Sequence, residues 1–183
     1  MNKEFPIAVP VGYNMTYQET MALAEVWAKS GIFPDALSAA KACVKIIAGR
    51  ELGFGPFAAM KGIFIITTAK STTVTIGAHL MAAMVKRSGR YDYRRKRLDA
   101  EACELEFLER RDDKWESMGI ASYTMAEAVD TRTALTKDGE LKDNWSRSPL
   151  DMLFARAISR GFRQFTPDLS GGPLYVHEEM DPE

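Results

Sequence analysis

Cysteine is scarce in this chain: only Cys43 and Cys103 occur, each inside an apolar pattern, and neither stands at ligand spacing from the other or from the two histidines. That disfavours a zinc site or a disulfide framework and leaves two buried free thiols, suited to a reducing compartment. No apolar run approaches the roughly 20 residues that span a bilayer. Residues 1–10, MNKEFPIAVP, also lack the continuous apolar stretch of a secretory signal, so a cytoplasmic protein without a membrane partner is expected. The Gly-Lys-Ser/Thr of a phosphate-binding loop is missing from the glycine-rich GRELGFG, which is read as a helix end with close packing. His79 stands among apolar residues in a helical pattern and is expected in or at the edge of the core, while His177, beside Glu178 and Glu179, is isolated. Asp168 with Glu104 or Glu106 would suggest a metal-dependent nuclease, but the accompanying lysine or further acid is absent.

What is present is ordinary globular chemistry, with 46% hydrophobic and 27% charged residues, enough for one domain across its 183 residues. The net charge of −1 argues against a polyanion partner only if the charges are mixed, and they are segregated. Residues 86–97, KRSGRYDYRRKR, hold seven bases against the single acid Asp92. DAEACELEFLE, which follows, holds five acids and no base, and HEEMDPE near the end holds four acids.

The apolar spacing of Met21, Ala24 and Trp27 predicts a helix over 17–30, with Thr16 as N-cap and Gly31 as its stop. A second helix is predicted over 35–52, with Leu37, Ala40, Val44, Ile47 and Ala48 on its apolar face, and a turn of helix at FAAMKG. IFIITTAKSTTVTI is β-branched and broken at residues 69–71, a hairpin with Lys70 at its tip. GAHLMAAMVKRSG is a helix whose last turn collects Lys86 and Arg87. Three strands follow over about 91–98, 103–109 and 115–123; in the middle one Cys103, Leu105 and Phe107 alternate with Glu104, Glu106 and Leu108, and RDDK turns into the last. TMAEAVD is a short capped helix, 136–149 a polar mobile loop, 149–165 a long helix, and 171–183 a flexible acidic tail. This order is α+β, a single domain with a β-hairpin, a three-stranded antiparallel meander and a long packed helix.

Two constellations carry chemistry. On the long helix Arg156, Arg160 and Arg163 fall within about 60° of one another and form a ridge with no acid on the helix beside it. Guanidiniums so spaced suit a row of phosphates. The competing readings are a solvated basic face, or salt bridges to an acidic segment. In YDYRRKR, read as a strand, Tyr91, Tyr93, Arg95 and Arg97 share one face and Asp92, Arg94, Lys96 and Leu98 the other. Aromatic and basic residues on one sheet face suit single-stranded nucleic acid. The competing reading is an edge strand guarded by charge against aggregation.

The stretches GRELGFGPFAAMKGIFII, KDNW, SPLDMLFARAISRGFRQF and PDLSGGPLYVHEE resemble the RecT/Redβ-type single-strand annealing proteins of bacteriophages, over about residues 28–179. The most specific positions are Trp145, Pro149, Met152, Leu153, Arg156, Ala157, Arg163, Pro167, Asp168, Tyr175, Glu178 and Glu179. The resemblance implies an ATP-independent protein of the bacterial host cytoplasm that coats single-stranded DNA, oligomerises as a ring or filament and pairs complementary strands, with no covalent chemistry. It implies a positively charged groove that holds the sugar-phosphate backbone and leaves base edges exposed. It also implies phage recombination as the setting, with a phage exonuclease and the host single-stranded-DNA-binding protein as further partners. No cofactor is required; modulation by magnesium stays open.

Carried onto this sequence, Arg156 and Arg163 match phosphate-contacting helix positions and Lys70 the hairpin tip, although the turn reads Ala69-Lys70-Ser71 where the family has Gly-Lys-Pro. Leu150-Asp151 stands where a basic residue often follows the helix-opening proline. With Arg160, Tyr93, Arg95 and Arg97 from the two constellations, and Lys142 and Arg147 on either side of Trp145, these make the candidate DNA-binding set. The alternative from another class is a nucleic-acid-binding protein that protects single strands without annealing them.

Overall fold

A computed structural model of the chain describes residues 14–67 and 72–170. The described residues are α+β, with a two-stranded and a three-stranded antiparallel sheet in separate compact units, one ending at Gly77 and the other beginning at Ala78.

The first unit opens with helix α1 (Tyr17–Ser30), followed by α2 (Ala39–Glu51), α3 (Pro56–Gly62) and strands β1 (Ile63–Thr67) and β2 (Thr72–Ile76). Thr16 and Glu19 form a reciprocal capping box: the Glu19 amide donates to Thr16 Oγ1 at 3.2 Å and the Thr16 amide to Glu19 Oε2 at 2.8 Å. Such a cap contributes about 1 kcal/mol. Gly31 ends α1 at φ 68°, in the left-handed region that favours glycine. The two strands pair from Ile63 opposite Ile76 to Thr67 opposite Thr72. Their connection, with Lys70, lies outside the described residues, as does the tail expected over 171–183.

Helix α2 departs from the sequence expectation in start and in face. It begins at Ala39 behind the N-cap Ser38, and Leu37 and Val44, expected inside, are 63% and 44% exposed. The buried face carries Ala42, Cys43, Lys45, Ile46 and Gly49 instead. The reason is Lys45, which is fully buried and donates to both carboxylate oxygens of Asp35, at 2.9 and 2.8 Å. Asp35 therefore serves as a counter-ion before the helix and not as a helical residue. Its Oδ2 also accepts the Ile65 amide at 3.2 Å, which ties β1 to the helices. Burial pushes the Lys45 ammonium below the ordinary lysine value, and the Asp35 hydrogen bond opposes this. The GRELGFG motif has the packing role expected of it: a Cβ on Gly49 would stand 3.2 Å from Ala59 Cα and closer to its Cβ, so glycine lets α2 and α3 touch.

The second unit contains α4 (Ala78–Arg87), β3 (Tyr91–Leu98), β4 (Ala102–Arg111), β5 (Lys114–Thr124), α5 (Met125–Asp130), α6 (Asp143–Arg147) and α7 (Pro149–Phe165), then a 3-10 turn, Pro167–Leu169. The strands form a meander in the order β3-β4-β5, so β3 and β5 are its edges. Asp112 and Asp113 make the β4–β5 turn with φ of 45° and 63°, a conformation aspartate tolerates better than most side chains. Helix α7 packs on β4, β5 and α4. Leu153, Ala157, Ile158 and Phe162 on the helix and Leu105 and Phe107 on β4 are fully or almost fully buried. Each large apolar side chain so enclosed is worth about 1.5–3 kcal/mol. Close approach depends on Gly161, where a Cβ would meet the Phe107 ring, 2.8 Å from Cδ2 and nearer to Cε2 and Cζ.

Three other expectations change here. His79 is exposed, because α4 begins at Ala78 and the histidine falls on the solvent side of its first turn. Leu108, expected to face solvent, is 4% exposed, since a register shift between Phe107 and Leu108 breaks the alternation. Residues 136–149, read as a mobile loop, are fastened by a bridge from Leu141 back to Leu135 and contain helix α6, whose Trp145 is 1% exposed and lies 6.4 Å from the Tyr123 ring. One large aromatic thus anchors a segment whose polar composition conceals it. Both cysteines are buried and free, as expected, and burial raises the Cys103 thiol to about 11.

Candidate nucleic-acid interface

The basic run falls on the edge strand β3, where Arg94, Arg95, Lys96 and Arg97 are all exposed. Cross-strand register assigns their faces. Tyr93 stands opposite Phe107 and Arg95 opposite Leu105, so both belong to the face that α7 covers, while Arg94 lies opposite Glu106 on the other. A bulge between Arg95 and Arg97 leaves Lys96 as the extra residue and puts Arg97 opposite Glu104. Arg97 therefore does not share a face with Tyr93 and Arg95, and Leu98, opposite the buried Cys103, turns inward.

Much of the run is already neutralised. Lys86 pairs with Asp92, Lys96 with Glu106 at 3.5 Å, and Arg97 with Asp99 and Glu101 at 2.6 and 2.9 Å. Arg97 and the amides of Glu101 and Ala102 hold the Asp99 carboxyl down at about 2. A hydrogen bond from Ser117, followed by Lys96, depresses Glu106. Arg90 donates to Glu109 at 2.7 Å and to Asp168 at 3.2 Å. Among the described residues Arg94 and Arg95 alone in the 86–97 run have no carboxylate within ion-pair distance and no other hydrogen bond or ring contact. They are the available cations of the strand.

Tyr93 is not an open stacking platform. Its ring lies 6.1 Å from Phe107 and 6.2 Å from Phe154, and the Lys86 ammonium sits over it, 4.6 Å from the centroid. Burial raises its hydroxyl above the ordinary tyrosine value.

The helix arginines separate into three environments. Arg160 pairs with Glu127 of α5, donates to the Ser122 carbonyl at 2.7 Å, and lies 5.0 Å over the Tyr123 ring. The counter-ion missing from the helix is thus 33 residues away, and Arg160 fastens α5 to α7. Arg156 is 9% exposed, in line with Met152 and Leu153, so it is not part of a solvated ridge. Arg163 is half-buried and donates to Ser159 Oγ at 2.7 Å. Helix α7 is enclosed on nearly every side, which leaves Leu150, Asp151 and Gln164 as its exposed residues.

Lys142 precedes α6 as its N-cap, and Arg147 is 77% exposed and pairs with Asp143 one turn earlier at 2.8 Å. Asp168 accepts from Tyr91 Oη at 3.0 Å as well as from Arg90, so it closes the end of the long helix onto β3. Among the described residues no group of three or more histidine, cysteine or acidic side chains gathers as a metal site, and no helix is long and apolar enough to cross a membrane. Sequence reasoning placed Arg94 on the right face but left it out of the candidate set, and passed over Lys86, whose partner and ring are supplied by the neighbouring strand. No family model, curated protein or solved structure matches the chain.

Proposed function

We propose that the chain binds single-stranded DNA along β3 and, as a homo-oligomer, promotes pairing of complementary strands without nucleotide hydrolysis. The observation that carries the proposal is Arg95, exposed on an edge strand and, among the described residues, without a carboxylate within ion-pair distance, next to Arg94, which is exposed and faces only the Glu106 that Lys96 already pairs. Phosphate is the anion such guanidiniums bind best, through bidentate charge-assisted hydrogen bonds. The enclosure of Tyr93 favours annealing over stacking-based protection, because a strand held by its phosphates keeps its bases available to a complement. The described elements, a two-stranded antiparallel sheet, a three-stranded meander and a 17-residue helix, agree with the α+β order read from the sequence.

The test follows two complementary labelled oligonucleotides added in sequence, in chelator and without nucleotide, beside a non-complementary pair. Pairing faster than the protein-free rate, confined to complementary strands and slowed in the R94Q/R95Q variant, supports annealing along β3. Tight binding without acceleration selects the protective binder, and no binding at low salt removes both.

A further inference from the structure

Asp92 is the only acid among residues 86–97, and it stands in the middle of the positive run. Its Oδ1 accepts from the Lys86 ammonium and, at 2.7 Å, from the Tyr93 amide. Lys86 also donates to the Tyr93 carbonyl at 3.0 Å and lies over the Tyr93 ring. The ammonium is therefore held by three groups, of which only the carboxylate is an anion. The carbonyl and the ring would keep Lys86 in place if a different anion took the carboxylate's position. Lys86 and Asp92 are 49% and 30% exposed in their side chains, so that position is open to solvent.

We propose that Asp92 is a built-in competitor of phosphate at Lys86, so that Lys86 joins the single-strand interface only when a backbone phosphate displaces Asp92. This rests on the reading of β3 as that interface. Lys86 is on the same side of the sheet as Arg95, because it covers the ring of Tyr93, and Tyr93 and Arg95 share a face. Two residues of strand, roughly 7 Å, separate Tyr93 from Arg95. That is the order of the separation between neighbouring phosphates in an extended single strand, so one strand can meet Arg95 and Lys86 in succession. The carboxylate mimics the phosphate while the site is empty, and its displacement makes the last contact weaker than a free lysine would give.

The experiment titrates a labelled oligothymidylate with the full chain across a range of salt, for wild type, D92N, K86Q and K86Q/D92N. Asparagine keeps an oxygen for the Tyr93 amide, and D92S repeats the loss of charge with a smaller side chain. One added phosphate contact steepens the dependence of log K on log salt by about 0.7 for a single strand. The expected result is that steepening, with tighter binding at low salt, in D92N and D92S but not when D92N is added to K86Q. Equal steepening in the K86Q background means that Asp92 acts through net charge alone and overturns the proposal. An unchanged slope in D92N, with the wild type still binding, overturns it while leaving the interface intact. A wild type that does not bind at low salt removes the interface itself, and this proposal with it.

Discussion

Replacing Gly161 by alanine sets two effects of opposite sign against each other. Alanine in the interior of a helix is better than glycine by up to about 1 kcal/mol, so on propensity alone α7 gains stability. The new Cβ, however, would stand 2.8 Å from Phe107 Cδ2 and closer to two further ring atoms, where carbon atoms settle at about 3.5–4.0 Å. The nearest ring atom must retreat by about 1.5 Å, yet Phe107 is fully buried, with Phe165 at 5.3 Å and Tyr93 at 6.1 Å. Overpacking of this kind costs about 1–3 kcal/mol, and with no slack on either side the upper part of that range applies, for a net loss of about 2 kcal/mol. Urea unfolding measures it directly. F107L removes the obstructing ring atoms, so F107L/G161A loses less than the sum of the two single variants, with a coupling of about 1 kcal/mol or more. A G161A protein as stable as wild type, or one additive with F107L, would refute the packing of α7 on the Phe107 ring.

The buried pair of the first unit predicts an asymmetry: D35N leaves the Lys45 charge enclosed and costs about 3–5 kcal/mol, whereas K45M leaves an Asp35 that is partly exposed and still bonded to the Ile65 amide, and costs less. Urea midpoints that fall equally would contradict that account. In salt titrations of single-strand binding, R94Q and R95Q each lower the slope by about 0.7 while R97Q lowers it less, because Asp99 and Glu101 already occupy Arg97; a larger effect of R97Q would mean those bridges open on binding. With the Cys103 thiol raised to about 11 by burial, the fold favours the protonated form, so its contribution to stability is intact below about pH 9 and is lost as pH rises from about 9 toward 11. Alkylation at pH 8 should accordingly be slow until urea is added, and rapid modification of the native chain would contradict the enclosure of Cys103.

Much of the architecture could be read from residues close together in the chain. Thr16 and Gly31 bound α1 because a cap and a left-handed stop are local devices, and the β-branched runs and the RDDK turn marked both sheets for the same reason. What stayed hidden depends on partners remote in sequence. Lys45 reads as an outward residue until Asp35 is brought to it, and that inverted the face assigned to α2. Arg160 looked unopposed because Glu127 is supplied by another helix, and Arg90 reaches Asp168 across 78 residues. The bulge at Lys96 has no glycine to announce it, so alternation misplaced Arg97 while placing Tyr93 and Arg95 correctly.

The same bulge makes position 96 the one place in β3 where neither the side chain nor the residue itself is needed to keep the register. Any side chain at position 96 occupies the extra place between two paired residues, so substitution there disturbs only the link to Glu106. Removing the residue would close the bulge into strict alternation and leave Arg95, Arg97 and Leu98 opposite Leu105, Glu104 and Cys103, where they already stand. Natural variation in this strand should thus exchange or even drop residue 96 freely, while Arg95, Arg97 and Leu98 keep their partners on β4, a register set by the ladder and not by the number of residues between them.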